Sequence, residues 1–307
     1  MPDAHTAKEA MTQTPDILCI GSVLWDIIGR APRAMRQGSD VAGRITQLPG
    51  GVALNIAMTF TRFGLYPALL SAVGRDASGA QLVAECEAMG LITQHLYRSD
   101  DLPTDRYMAV EGANGLIAAI ADAHSLEAAG DKILVPLRDG TLGSAAAPFA
   151  GTIALDGNLT AALLAEIAAA PEFAAADLRV APASPGKAER LAPFLRAGRA
   201  TLYVNLEEAG LLCEASFAAA PEAAAALLAR GAARVLVTDG GNLAAEGDAS
   251  GLRSACPPQV LVARVTGAGD TFMAAHISAE RGGAAPQEAL EAALNAAARY
   301  VSGGSAQ

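Results

Sequence analysis

Short apolar runs alternate with longer alanine-rich runs along most of the chain. Residues 17–20 are wholly apolar and precede Gly21, which is typical of a buried strand. Similar runs predict further strands at 68–73, 152–155, 178–181, 200–204, 233–238 and 260–265. Helical patterns lie between them, at 54–63, 159–169, 186–196 and 219–230. This alternation predicts a three-layer αβα fold, in which helices cover both faces of a mostly parallel sheet.

Two stretches break the alternation. Residues 30–48 are rich in Gly, Pro and Arg and end in a short strand-like piece. Residues 107–110 and 116–121 are two extended runs joined by Gly-Ala-Asn-Gly, a composition that predicts a β-hairpin. We expect these segments, about 30–48 and 104–122, to form a small β-strand lid over a site at the sheet edge.

The length of the chain bounds its domain organisation. Its 307 residues suffice for one large α/β domain, and no internal repeat or long linker divides them. We therefore expect a single domain over residues 16–307 that carries the lid. Residues 1–15 are polar and lack the apolar centre of a signal peptide, so they are expected to form a disordered N-terminal tail.

Composition and charge argue against several classes of function. Aromatic residues make up only 4 % of the chain, which disfavours stacking of nucleobases along a strand. The formal net charge of −10 opposes binding to a nucleic acid polymer or to an anionic membrane. No apolar stretch reaches membrane-spanning length. The 4 cysteines are scattered singly without metal-ligand spacing, which indicates reduced thiols and a cytoplasmic protein.

The strongest chemical pattern is Thr-Gly-Ala-Gly-Asp at 266–270, between a strand-like run and an apolar helical run. Gly267 and Gly269 permit a tight turn and a close approach of a ligand to the backbone. Free N–H groups at a helix start suit a phosphoryl group, and Asp270 beside them could accept the proton of an attacking hydroxyl. An Asp near a helix start is also an ordinary capping residue, so the motif alone leaves both interpretations open.

Three motifs in order carry a resemblance to a known family. The run VTGAGDTF at 265–272 resembles the C-terminal signature of PfkB-type kinases, which have the ribokinase-like fold. The runs GGVALN at 50–55 and GRDASG at 74–79 resemble the N-terminal Gly-Gly motif of that family and the segment that follows it. The resemblance spans residues 17–302 and implies an ATP-dependent sugar or nucleoside kinase. It makes Asp270 the catalytic base and the backbone of Gly267, Ala268 and Gly269 the anion hole.

The same resemblance implies a set of substrate-binding residues. Asp26 would bind paired hydroxyls of the sugar, because a carboxylate accepts two hydrogen bonds. Gly50 and Gly51 would turn backbone amides towards the substrate, and Asn55 would add a side-chain amide. For Asp26, the ordinary interpretation as a solvated turn residue stays open.

The resemblance also implies where MgATP binds. Asn205 and Glu208, from an Asn-x-x-Glu motif, would position magnesium through water, because magnesium gives up its hydration shell reluctantly. Thr238 and Gly240 would line the nucleotide site, and Asn295 would lie near the adenine. An isolated Asn-x-x-Glu is often only a helix start, and Asn295 on an alanine-rich helix has an equally good structural explanation.

Two positions depart from the family pattern. Leu243 stands where the family usually carries a further Gly. Arg264 stands where the family commonly has an Asp that helps to hold an activating monovalent cation. Arginine has no acceptor with which to coordinate a cation. Its guanidinium either substitutes for the charge of the cation or forms a surface ion pair, so potassium activation is not carried over.

The lid residues indicate a branch of the family. Thr104, the aromatic strand with Tyr107 and the pair at 121–122 are similar to the pseudouridine kinase branch, as are Ser184 and Lys187 at a helix start. Pseudouridine is therefore the expected acceptor. A pentose, a hexose or another nucleoside stays open, as for a ribokinase, a fructokinase or a ketodeoxygluconate kinase.

Hypotheses that assign the chain to other classes of protein also remain. Arg264 and Leu243 suggest a ligand-binding pseudokinase that lacks turnover. A dehydrogenase-like nucleotide-binding protein is disfavoured, because the glycines of the dinucleotide fingerprint are missing. The lid strands expose edges that invite pairing with a second copy, which makes a homodimer through the lid a further hypothesis.

Overall fold

The architecture is seen in a computed structural model that describes residues 14–304. The largest sheet has eight strands, whose spatial order is β14 (Gly251–Ala255), β13 (Ala244–Asp248), β12 (Arg234–Thr238), β11 (Ala200–Asn205), β10 (Asp177–Ala181), β9 (Thr152–Asp156), β1 (Ile17–Ile20) and β4 (Pro67–Leu70). The strands from β12 to β4 are parallel, and β13 and β14 are antiparallel at one edge. The mostly parallel sheet predicted from the sequence is confirmed.

Helices connect these strands. They are α1 (Val52–Arg62), α2 (Ala77–Ala88), α3 (His124–Ala129), α4 (Ala161–Ala169), α5 (Ala192–Ala197), α6 (Leu206–Cys213), α7 (Ala220–Ala229), α8 (Ala268–Arg281) and α9 (Pro286–Val301), with 3₁₀ turns at Gly130–Leu137, Pro171–Phe173 and Pro185–Leu191. Among the described residues, no helix combines the length and hydropathy that a membrane span needs.

The core explains why the strand-like runs are apolar throughout. Alternate side chains of a strand face opposite sides of the sheet. Ile17 and Cys19 belong to one core cluster, which includes residues of α1, α8 and α9, whereas Leu18 and Ile20 belong to another, which includes residues of α4, α5 and α7. All four side chains are fully buried. Helices therefore cover both faces, and the three-layer αβα arrangement is confirmed.

A second sheet of four strands forms the lid. Its spatial order is β3 (Arg44–Gly50), β2 (Leu24–Arg30), β7 (Arg106–Gly112) and β8 (Gly115–Asp122). The hairpin predicted at 107–121 is β7–β8, with Gly112 opposite Gly115. The lid begins earlier than the predicted segment 30–48, because β2 already belongs to it. Trp25 explains this start, since its buried indole donates to the carbonyl of Ser78 at 3.0 Å and ties β2 to α2.

Two strand predictions need correction. The run 68–73 is divided between β4 and β5 (Ala72–Gly74), and β5 pairs with β6 (Tyr97–Ser99) in a separate two-stranded sheet. Residues 260–265 form no strand, and Leu261 is 91 % exposed. The preceding pair Pro257 and Pro258 lacks the N–H donors that a ladder beyond β14 would need.

The helix predicted at 186–196 is interrupted. It begins as the 3₁₀ turn Pro185–Leu191 and becomes α-helical only in α5. Residues 1–13 of the predicted N-terminal tail lie outside the described part of the chain.

Candidate functional site

The candidate site lies at the carboxyl end of β1, where the order of the strands reverses. In spatial order β1 stands between β9 and β4, so the strands that follow it in sequence are placed on both of its sides. Open α/β sheets bind ligands in the crevice at the carboxyl ends of the strands at such a switch point. Ser22, just after β1, and Asp156, the last residue of β9, meet at this point.

Asp156 organises the floor of the crevice. Its fully buried carboxylate accepts hydrogen bonds from the amides of Ser22 at 2.8 Å, Ala53 at 2.9 Å and Asn158 at 2.8 Å. A side chain at Gly21 would lie 2.3 Å from this carboxylate, so only glycine fits there. Burial raises the pKa of Asp156, while the three amides oppose that rise. The turn after β1 and the start of α1 are therefore locked to the end of β9.

Asp156 is a site residue that the sequence motifs did not single out. The polar triplet Asp-Gly-Asn directly after a buried strand is the signal that could have revealed it. The side chain of Asn158 donates to the Ser22 hydroxyl at 2.8 Å and accepts from the ammonium of Lys187. Burial and the nearby charge of Arg190 lower the pKa of Lys187. A chain of polar groups thus runs from the floor of the crevice to the helix start that carries Lys187.

Asp26 projects from the lid strand β2. Its carboxylate is half-buried, and this burial raises its pKa to about 6. A Cβ at Gly50 would lie 2.2 Å from its Oδ2 atom, so the first glycine of the Gly-Gly motif makes room for Asp26. Gly51 has φ +99° and would place a Cβ 2.4 Å from the carbonyl oxygen of Ser22. The Gly-Gly pair therefore lets the lid carboxylate and the crevice floor approach each other.

Asp270 lies in the first turn of α8, facing α1. Asn55 on α1 donates its side-chain amide to Oδ2 of Asp270 at 2.9 Å. Burial raises the pKa of Asp270 to about 7, and the charges of Asp156, Asp26 and Glu208 add to the rise, while the Asn55 donor opposes it. Carboxylates from four elements therefore act on one another in this crevice.

The turn before α8 has the conformation that the glycine motif predicts. Gly267 has φ +86° and caps the helix, which begins at Ala268. The amide of Ala268 donates to the carbonyl of Val265 at 3.0 Å. The amides of Gly269 and Asp270 belong to the first helical turn, where an α-helix supplies no acceptor. These two N–H groups, at the positive end of the helix dipole, are donors suited to an anion. The Ala268 amide, which was expected to belong to the anion hole, already donates to Val265.

Asn205 and Glu208 form a capping box at the start of α6. The Asn205 side chain accepts from the Glu208 amide at 2.8 Å, and Glu208 Oε2 accepts from the Asn205 amide at 2.8 Å. Burial raises the pKa of the Glu208 carboxyl. Asn205 and Glu208 thus cap a helix, and they also lie at the carboxyl end of β11.

Two other nucleotide residues of the prediction, Thr238 and Gly240, lie at the end of the neighbouring strand β12, and the third, Asn295, lies on α9. Thr238 ends β12 and is paired with Asn205 across the ladder. Gly240, with φ +55°, lies in the turn between β12 and β13. Asn295 on α9 donates to the carbonyl of Glu291 at 2.8 Å. It also lines a cavity of about 370 Å³, whose walls are Ser254, Ala255, Cys256, Pro257, Pro258, Gln287, Glu291 and Asn295.

The residues present suit a divalent cation without forming a closed cage for one. Within residues 14–304, no group of three His, Cys, Asp or Glu side chains is arranged as a metal site. Asp270, Asp26, Asp156 and Glu208 nevertheless raise the negative charge of one crevice. Magnesium usually keeps several waters and takes only one or two carboxylates, so the fit is that of a water-mediated site.

Comparison with solved structures agrees with this arrangement. A putative sugar kinase from Clostridium perfringens superposes with a TM-score of 0.77 at 21 % identity, covering 94 % of this chain and 90 % of that one. Arabidopsis thaliana ribokinase complexed with ribose and ATP gives 0.73 at 20 % identity, covering 96 % and 95 %. A putative ribokinase II from E. coli in complex with ATP and Mg²⁺ gives 0.74 at 18 %, covering 94 % and 93 %. The sheet, lid and helix-start turn thus define a ribokinase-like α/β protein.

Sequence comparison identifies the family. Residues 14–307 match the pfkB family of carbohydrate kinases, and the chain belongs to that family. The uncharacterized sugar kinase YeiI of Escherichia coli (strain K12) is 30 % identical over 155 residues, which are 50 % of this chain and 41 % of that protein. A pseudouridine kinase of Arabidopsis thaliana is 28 % identical over 100 residues, which are 33 % and 26 %. The chain thus matches less than half of the length of these curated relatives.

Proposed function

We propose that this protein is an ATP-dependent kinase that transfers the γ-phosphoryl group to a hydroxyl of a sugar or nucleoside. The observation that carries the proposal is Asp270, a half-buried carboxyl with a pKa raised to about 7 beside two free helix-start amides. A general base works best when its pKa lies near the working pH. The amides of Gly269 and Asp270 would hold the transferred group while Asp270 takes the proton of the hydroxyl.

Asn55 has two consequences for this base. Its amide fixes the orientation of the Asp270 carboxylate through Oδ2, and it stabilises the ionised form. The other oxygen, Oδ1, is left to accept the proton. Asn55, expected to contact the substrate, would therefore also act as a positioning residue for Asp270.

Magnesium belongs to the proposal because phosphate groups approach a crevice that already holds four carboxylates. Glu208 and Asn205 would hold the ion through water, since one oxygen of Glu208 is used in the capping box. When bound, the ion neutralises charge that develops on the phosphate oxygens. Thr238, Gly240 and Asn295 would line the remainder of the nucleotide site.

Pseudouridine is the acceptor that we propose. Asp26 can accept two hydroxyl hydrogen bonds from a ribose, and Gly50 leaves room for its carboxylate, while Gly51 lies against Ser22. Lys187 and Asn158 add a donor and an amide on the crevice floor, which suits the carbonyl and N–H groups of a uracil ring. The named pseudouridine kinase relative supports the same acceptor. Other pentoses, hexoses and nucleosides, and a pseudokinase without turnover, are the alternatives.

The lid would close over the acceptor and exclude water, which limits hydrolysis of ATP. One lid face carries exposed apolar side chains, with Ile45 77 %, Met108 45 % and Ile120 62 % exposed. Met108 and Ile120 are paired across the β7–β8 ladder and so share that face. A second copy would cover them, which makes a homodimer through the lid part of the proposal. Free thiols at Cys19, Cys86 and Cys213, all buried, support a cytoplasmic location.

A coupled assay of ADP release tests the proposed function. MgATP would be offered with pseudouridine, uridine, ribose, fructose or 2-keto-3-deoxygluconate, and products would be located by ³¹P NMR. Pseudouridine and uridine are a matched pair, because they share the sugar and differ in the bond to the base. We expect pseudouridine to give a kcat/KM at least about tenfold above uridine, one lost hydrogen bond at the base being enough for that.

Two results would contradict the proposal. Faster phosphorylation of fructose or ketodeoxygluconate would overturn the nucleoside assignment but keep the kinase. Binding of ATP by calorimetry without ADP release for any acceptor would favour the pseudokinase.

A further inference from the structure

The loop that leads into the anion hole has few apolar contacts of its own. It connects β14 with α8 and carries Gly267, the residue that caps α8. Val262 is 63 % and Val265 71 % exposed. Burial of apolar side chains therefore does little to fix this loop, although the amides that follow it must be held in place for phosphoryl transfer.

The loop is held instead by the C-terminal end of α9. The amides of Ala263 and Arg264 both donate to the carbonyl of Val301, at 2.7 and 3.1 Å. The hydroxyl of Tyr300 donates to the carbonyl of Thr266 at 3.0 Å. A Cβ at Gly267 would lie 2.5 Å from this hydroxyl, so the capping glycine packs directly on Tyr300.

Arg264 is the centre of this contact. Its Nε donates to the carbonyl of Tyr300 at 2.8 Å, and its Nη2 donates to the carbonyl of Gly304 at 3.1 Å. The guanidinium carbon lies 3.8 Å from the centroid of the Tyr300 ring. Of the two interpretations left open by the sequence, the surface ion pair is not the one observed, because the partners of Arg264 are backbone carbonyls and an aromatic face.

The chemistry of these partners is that of a cation site. Tyr300 and Val301 lie in the last turn of α9, whose carbonyls carry the negative end of the helix dipole, and Gly304 follows the helix. Such carbonyl oxygens bind either N–H donors with positive charge or a hard metal cation, as in filters built from backbone carbonyls. Here a guanidinium occupies them, and its charge would repel a metal ion. The residues present therefore do not fit the monovalent cation that the fold family implies.

We infer that Arg264 is a built-in cation that positions the anion hole, so that phosphoryl transfer needs no monovalent metal ion. The inference rests on the proposed kinase function and adds a positioning residue to it. Arg264 fixes the loop to α9, and Tyr300, which contacts both Arg264 and Gly267, holds Gly267 in place. Gly267 in turn sets the direction of the Gly269 and Asp270 amides. A planar guanidinium bridges two carbonyls at once, which an ammonium cannot do with the same geometry.

The experiment compares wild type, Arg264→Ala, Arg264→Lys and the control Arg199→Ala. Arg199 also donates its guanidinium to a backbone carbonyl, that of Phe173, but in a part of the fold distant in sequence from the anion hole. ADP release would be measured with tetramethylammonium as the only monovalent cation and again after addition of KCl at equal ionic strength. Melting temperatures under both conditions give a second readout that needs no turnover.

We expect wild type and Arg199→Ala to be equally active with and without potassium. In Arg264→Ala without potassium, kcat should fall by about tenfold to a hundredfold, as for a misplaced catalytic group, with KM for the acceptor changed little. Added potassium or guanidinium should restore a large part of kcat and raise the melting temperature of this variant alone. Arg264→Lys should be intermediate and insensitive to potassium.

The inference is overturned if wild type needs potassium for turnover or is stabilised by it, or if Arg264→Ala keeps full kcat without it. Absence of turnover in all proteins under all conditions would instead refute the proposed function. In that case the melting temperatures still decide the inference, because a carbonyl site freed in Arg264→Ala would bind potassium without catalysis.

Discussion

Gly50 offers a sharp test of how the lid presents its carboxylate. In Gly50→Ala the new Cβ would lie 2.2 Å from Oδ2 and 2.3 Å from Cγ of Asp26. Ordinary contacts begin near 3.4 Å, so the carboxylate must retreat by about 1.2 Å (3.4 − 2.2). Asp26 has a short side chain and is held on a strand, so the shift moves it away from the acceptor hydroxyls.

A misplacement of about 1 Å at a positioning group can cost on the order of a hundredfold in rate. We therefore expect kcat/KM for the acceptor to fall by about tenfold to a hundredfold in Gly50→Ala, while KM for ATP stays near that of wild type. Initial rates of ADP release at varied acceptor concentration measure both quantities.

Gly29→Ala is the matched control, because it adds the same methyl group to the strand that carries Asp26. There the new Cβ would meet its nearest atoms at 3.8 Å, which is ordinary contact. We expect this variant to keep wild-type kinetics and stability. Equal kcat/KM for the two variants, with both proteins folded by circular dichroism, would refute the assignment of Asp26 to the acceptor.

Three further predictions concern the carboxyl cluster and the lid. With a pKa near 7 for Asp270, kcat/KM should rise about tenfold per pH unit below that value and level off above it. Asn55→Ala should move this limb to higher pH, because the Asn55 hydrogen bond lowers the pKa of Asp270 and its loss lets that pKa rise; an unmoved limb would contradict this. Folding raises the pKa of Asp270 from its ordinary 3.8, so the stability of the folded protein falls as pH rises from about 4 to about 7. Asp270→Asn should therefore melt at a higher temperature than wild type at pH 8 but not at pH 4. An equal difference in melting temperature at both pH values would contradict the raised pKa of Asp270. Met108→Lys combined with Ile120→Lys should convert a dimeric wild type into a monomer in sedimentation equilibrium, and a wild type that is already monomeric at micromolar concentration would refute the lid dimer.

The sequence predicted those parts of the fold that depend on local pattern. The run 17–20 was recognisable because both of its faces are buried, which requires apolar residues throughout. The run 260–265 is apolar except for Arg264, but the amides of Ala263 and Arg264 tie it to α9, so its pattern predicted a strand that does not form. Composition alone does not say whether a sheet edge is available for a strand.

Only those residues of the candidate site that lie within sequence motifs were predictable. Asp270 and Asn55 were each singled out by family motifs, but the bond between them joins residues 215 positions apart. The contact of Asp156 with Ser22 spans 134 positions and involves no motif, so the central carboxylate of the crevice floor was missed. Likewise, the glycines of the Gly-Gly motif were expected to serve through their amides, while the structure shows that they leave space for Asp26 and Ser22.

The central claim is that Asp270 is the base of a phosphoryl transfer, and Asp270→Asn under single-turnover conditions tests it most directly. The substitution keeps the shape of the side chain and removes only the proton acceptor, while calorimetry checks that MgATP still binds. With enzyme in excess over radiolabelled ATP and saturating pseudouridine, we predict that transfer slows by at least about a hundredfold, as expected for loss of a general base, with ATP affinity nearly unchanged. Transfer at the wild-type rate in Asp270→Asn would contradict the account.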